Sequence, residues 1–128
     1  MDGLRPLADL IGRVLLSVMF ILGGIQKIGG YDGAAGYMES AGVPAILLPL
    51  VIILELGGGV LLLIGFQTRI VAFLLGGFCV IAAIIFHSDF SQQMQMILFM
   101  KNLAIAGGMG VVFAHGAGAL SIDGRRGR

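Results

Sequence analysis

Four long apolar blocks dominate the chain, at about residues 7–28, 45–66, 70–86 and 96–114. Each is near the roughly 20 residues a helix needs to cross the hydrocarbon of a bilayer. Apolar and polar residues do not alternate within them, as they do in the strands of a membrane barrel. A helix satisfies its backbone groups internally, so the pattern predicts an all-α bundle of four transmembrane helices. Residues 29–44, GGYDGAAGYMESAGVP, separate the first two blocks. Ala34 to Ala41 is expected to form a short interfacial helix, with Tyr31 and Tyr37 at headgroup level. Gly42 and Pro44 would stop it before the second span. The other connections are short, Gln67-Thr68-Arg69 and HSDFSQQ at residues 87–93. Short turns imply antiparallel neighbours, and residues 1–128 read as one domain.

Composition sharpens this picture. The chain has 128 residues, 58% apolar and only 12% charged. A soluble domain of this size has too little interior to hide so much apolar surface. A water-soluble enzyme and a disordered segment are both excluded. The net charge of +1 offers no basic field for nucleic acid. One cysteine allows neither an internal disulfide nor a four-cysteine metal site. The 22 glycines suit closely packed transmembrane helices. No small-x-small cleavage site follows the first block, so it is expected to be a retained span rather than a cleaved signal.

The basic residues suggest an orientation. Four spans would put both termini and the Gln67–Arg69 turn on one side, with Arg5, Arg69, Arg125, Arg126 and Arg128. The other side has Lys27, Asp32, Glu39 and Asp89. The excess of positive charge puts both termini in the cytoplasm.

Three charges interrupt the spans: Arg13, Glu55 and Lys101, the last followed by Asn102. A charge at the bilayer centre costs roughly 3 kcal/mol or more, so each needs a reason. Counting about 1.5 Å per residue from the outer boundary puts Lys101 about 8 Å deep, Glu55 about 14 Å and Arg13 about 22 Å. An Arg13–Glu55–Lys101 network follows if the first, second and fourth spans meet. Helical spacing gives stripes on which charge and small residues coincide: Arg13, Ser17, Phe20, Gly24 and Lys27; Glu55, Gly58, Gly59 and Leu62; Ala72, Gly76, Val80, Ala83 and His87; Lys101, Ala104 and Gly108. Such a network either fixes helix register, serves a ligand or proton site, or pairs with another subunit. Lys27 reads as an end residue whose ammonium reaches the interface.

The segments GGIQKI, MESAGVP, ELGGGVLLLIGFQTRIVAF, QQMQMILFMKNLAIAGG and SIDG, in this order, resemble the DoxX family of small four-helix bacterial membrane proteins. The resemblance covers about residues 7–124. It implies a multi-pass protein of the bacterial inner membrane. The family name derives from a thiosulfate:quinone oxidoreductase, and other members are linked to thiol and oxidative-stress systems. The resemblance therefore points to a membrane subunit or partner of a redox system that binds a quinone non-covalently. Lys101, Asn102, Gln95 and His87 would hydrogen-bond the head group, with Glu55 handling protons deeper in the bundle. His87 and His115 stand on opposite sides of the membrane, roughly 30 Å apart, so they cannot ligate one haem within a monomer. No haem, flavin or metal is indicated. Cys79 and the methionines of the fourth span read as packing residues. Besides the lipid bilayer, other membrane subunits or a homo-oligomer are the expected partners. A non-catalytic anchor or accessory subunit is the alternative, and a small transporter a third.

Overall fold

The apolar blocks become long helices, each ended by a local device. The structure is a computed structural model that describes residues 3–125. Helix α1 spans Arg5–Gly29, the short α2 Tyr31–Ser40, α3 Leu48–Ile64, α4 Thr68–Phe86, α5 Gln93–His115 and the one-turn α6 Ile122–Arg125. A single 3-10 turn, Ala45–Leu47, leads into α3. With it, four helical stretches of 25, 20, 19 and 23 residues are long and apolar enough to cross a membrane. Among the described residues there is no strand. Arg126 and Arg128, counted above for orientation, lie outside the described residues.

Pro6 and Pro49 stand in the first turns of α1 and α3, where a missing N–H costs no helical bond. Gly65 ends α3 in the left-handed conformation, φ 74°, and donates its N–H to the carbonyls of Leu61 and Leu62. Thr68 and Arg69, read from the sequence as part of a turn, already belong to α4.

Contacts run in antiparallel order. On α1 and α3, Gly24 faces Leu56, Ser17 and Ile21 face Gly59, and Arg13 faces Leu62. On α4 and α5, Gly76 faces Met109, Phe73 stacks with Phe113, and Arg69 reaches Ala114. Helix α3 packs on α4, and α1 meets α5 where Leu16 approaches Gly108. The glycines let backbones come close, which is how helices gain contact in lipid without a hydrophobic driving force. Phe20, Leu62, Val71, Ala72, Leu75, Cys79 and Met109 form the core. Leu15, Ile53, Phe73, Ile81 and Val111 point outward, as lipid-facing residues do.

The stripes expected on the first three spans face inward, except that Lys27, Val80 and His87 are half-buried. The fourth does not hold. Lys101 and Ala104 are exposed, and α5 packs through Ile105, Met109 and Val112. The charge at Lys101 suggested one face, but the larger apolar side chains on a stripe about a fifth of a turn round the helix fill the gap beside α4.

The side bearing the chain's two ends is tied together by polar contacts. The Arg13 guanidinium donates to the carbonyls of Leu62, Leu63 and Leu120. The buried Asp123 carboxylate accepts from the backbone N–H of Gln67, 3.0 Å, and Thr68, 2.8 Å. It caps the start of α4 from 55 residues away. The expected common side for the ends and the α3–α4 turn is therefore observed.

Candidate functional site

At the opposite end, near α2, the two helix pairs separate and leave a cleft of about 650 Å³. It lies between α1 and α3 on one hand and α4 and α5 on the other. Helix α2 and the 3-10 turn close over it, contributing Tyr37, Met38 and Leu47. Most of the wall is apolar, with Phe20, Phe78 and Phe86 supplying aromatic faces. The core of Leu62, Leu75 and Met109 fills the space on the tail side.

Glu55 lines this cleft from the middle of α3 and is 6% exposed. Its Oε1 meets Lys27 Nζ at 2.7 Å, an ion pair outside the angular range of a directed hydrogen bond. Lys27 comes from the last turn of α1, and its side chain is one-third exposed, 33%. Gly23 makes room for the pair: a Cβ there would stand 2.7 Å from Glu55 Oε2. A buried carboxylate needs a partner, and α1 supplies one through the stripe that also holds Ser17 and Gly24.

The expected Arg13–Glu55–Lys101 network does not form. Antiparallel packing puts Arg13 beside Leu62, two turns from Glu55, where it binds the carbonyl end of α3. Lys101 lines the cleft, but among the described residues no carboxylate is within 4 Å of it. Helix α5 packs on α4 rather than on α3, which holds Lys101 away from Glu55.

Five of the six residues singled out in the sequence gather at this end. Glu55, Lys101, Asn102 and His87 line the cleft directly. Gln95 stands behind His87, with its amide oxygen 3.0 Å from Nδ1. An amide oxygen facing the ring fits the neutral tautomer with its proton on Nδ1, which leaves Nε2 as an acceptor. Tyr37 donates to the Phe86 carbonyl at 3.4 Å, and its ring lies 5.2 Å from that of Phe86. This holds α2 against the end of α4. Sequence reasoning missed the parts played by Lys27, Gln26 and Tyr37 on the cleft wall. It also read Cys79 only as packing, whereas the buried thiol belongs to both core and cleft wall. For Lys27 the signal was present, since it continues the Arg13–Gly24 stripe. For Asp123 the only signal was an acid within an otherwise basic tail.

The DoxX family model matches residues 8–88, from α1 to just past the end of α4. The chain belongs to the DoxX family. It is 46% identical over 123 residues to the inner membrane protein YqjF of Escherichia coli (strain K12), covering 96% of this chain and 95% of that protein. It is 34% identical over 128 residues to the inner membrane protein YphA of the same organism, covering 94% and 91%. A shorter match, 34% over 68 residues, is to "Putative oxidoreductase CatD" of Bacillus subtilis (strain 168), covering 53% of this chain and 51% of that one. No solved structure matches the chain. Two full-length relatives of the inner membrane and four spanning-length helices make this chain a DoxX-family inner membrane protein.

Proposed function

We propose that this protein is a quinone-interacting subunit or partner of a membrane redox system, with the head group held in the cleft beside α2. The observation that carries this reading is the cleft itself. It has the size and apolar lining of a small-molecule site, with a few convergent polar groups. Lys101 and Asn102 offer donors to a quinone carbonyl from α5. His87, oriented by Gln95, offers a ring nitrogen from the end of α4. Phe20, Phe78 and Phe86 suit a flat ring. Reduction of a quinone takes up two protons, and Glu55 with Lys27 forms a route from water to the cleft. Electrons would come from a cofactor of a partner protein. The oxidoreductase in the name of CatD points in the same direction. Arg13, by contrast, serves the fold. If both termini are cytoplasmic, the cleft opens in the outer leaflet.

The test is gentle purification followed by lipid extraction and mass spectrometry. The expected result is quinone in stoichiometric amount, lost when Asn102→Leu narrows and apolarises the cleft. A protein partner recovered without any quinone would favour the anchor or accessory role instead.

A further inference from the structure

The cleft carries a charge imbalance that hydrogen bonding to a neutral quinone does not use. Three ionisable lysine and glutamate side chains line it: Lys27 on α1, Glu55 on α3 and Lys101 on α5. Lys27 and Glu55 balance each other at 2.7 Å. The remaining titratable groups on the wall are Tyr37 from α2, Cys79 from α4 and His87 at the α4 end, and none is a carboxylate. Lys101 thus stands without a counter-ion among the described residues, within a spanning helix and against a mostly apolar wall. An ammonium so placed is costly, and a ligand that brings one negative charge removes the cost.

We propose that the cleft selects amphiphiles whose head group carries one negative charge on oxygen. Lys101 supplies the opposite charge and Asn102 a neighbouring amide donor, while the apolar chain lies along Phe20, Phe78 and Ile105. Two sources share this head-group chemistry: a fatty-acid carboxylate and a deprotonated hydroquinone. For the second, the cleft prefers the reduced, ionised form of a quinone to its neutral oxidised form. That corollary rests on the quinone reading; the charge selectivity does not.

The experiment uses the whole protein in phosphatidylcholine nanodiscs. It is titrated with decanoate, decanol, decyl-hydroquinone and decyl-benzoquinone, and bound amphiphile is counted by native mass spectrometry. Decanoate is expected to bind about tenfold or more tightly than decanol, the effect of one charge-assisted hydrogen bond. Lys101→Gln should abolish that difference, and Lys101→Arg should retain it. Equal binding of decanoate and decanol overturns the proposal, as does a Lys101→Gln variant that weakens both alike. The two quinone arms separate the readings. Selective decanoate binding with neither quinone form bound sustains the charge selectivity and removes the quinone. Binding of decyl-benzoquinone alone does the reverse.

Discussion

Glu55 and Lys27 depend on their pairing to different degrees. Glu55 is 6% exposed, whereas the Lys27 side chain keeps a third of its surface. Removing the lysine strands a carboxylate inside the bundle; removing the acid leaves an ammonium that can turn toward water on its flexible stem. Lys27→Met is therefore expected to cost about 3–5 kcal/mol, as breaking a buried pair does. Glu55→Gln should cost about 1 kcal/mol or less, nearer the value of an exposed pair. The double variant should recover most of the loss. Thermal unfolding in detergent measures all three, and a double variant whose loss is the sum of the two single losses would show that Lys27 does not serve as the carboxylate's partner. The depth count from the sequence missed this pair for a geometric reason. It started every block at one plane, which put Lys27 near the surface and Glu55 about 14 Å down. In the structure Gly23 stands beside Glu55, six residues before the end of α1 and seven after the start of α3; the count began at Ala45, in the 3-10 turn, and Lys27 is one turn beyond Gly23. The lysine stem spans what remains.

At the scale of the helices, glycine position decides how closely two spans approach. A Cβ on Gly76 would sit 3.1 Å from Met109 Cβ and 3.7 Å from the Ala106 carbonyl oxygen. Leucine at this position adds three further carbons where α4 and α5 already touch. Gly76→Leu is expected to cost about 1–3 kcal/mol by overpacking. Its neighbour Gly77 has open space beyond it, so Gly77→Leu should be nearly neutral and serves as the control. Comparing their unfolding midpoints tests the packing of α4 on α5; equal midpoints would place Gly76 toward lipid. The inward face of α4 was legible in the sequence because Ala72, Gly76 and Ala83 recur at helical spacing without charge. The inward face of α5 was not. Its residues are almost uniformly apolar, so periodicity offers little and the polar Lys101 misled. Met109 and Ile105 are inward because α4 presents a groove of their size, which belongs to the neighbouring helix.

For the whole molecule, the tail side is built to stay together. Arg13 and Asp123 join α1, the end of α3, the start of α4 and the tail through hydrogen bonds to backbone. Arg5, Arg69 and Arg125 lie on that side, with Asp32, Glu39 and Asp89 on the other. The positive-inside rule then predicts that the tail side faces the cytoplasm. A reporter active only in the periplasm should be silent when fused after Arg128 and active when inserted in α2 at Gly36. The opposite outcome would reverse the orientation and put the cleft in the inner leaflet.

Hydropathy and spacing alone determined the four spans, the interfacial α2 and the inward stripes of α1, α3 and α4. These are properties of one segment in lipid: backbone groups must pair within the helix, and the polar or small face turns away from hydrocarbon. The sequence also marked Glu55, Lys101 and Asn102 as residues out of place in an apolar span, and His87 and Gln95 as polar candidates at the span ends. Only the tertiary structure decided that Lys27 partners Glu55, that Arg13 binds carbonyls at the far end, and that Lys101 is left facing a cleft. Those outcomes depend on the axial register and rotation of one helix against another. Register is fixed by how side-chain volumes such as Gly23, Gly24 and Leu56 interlock across an interface, and no pattern read along a single helix contains it.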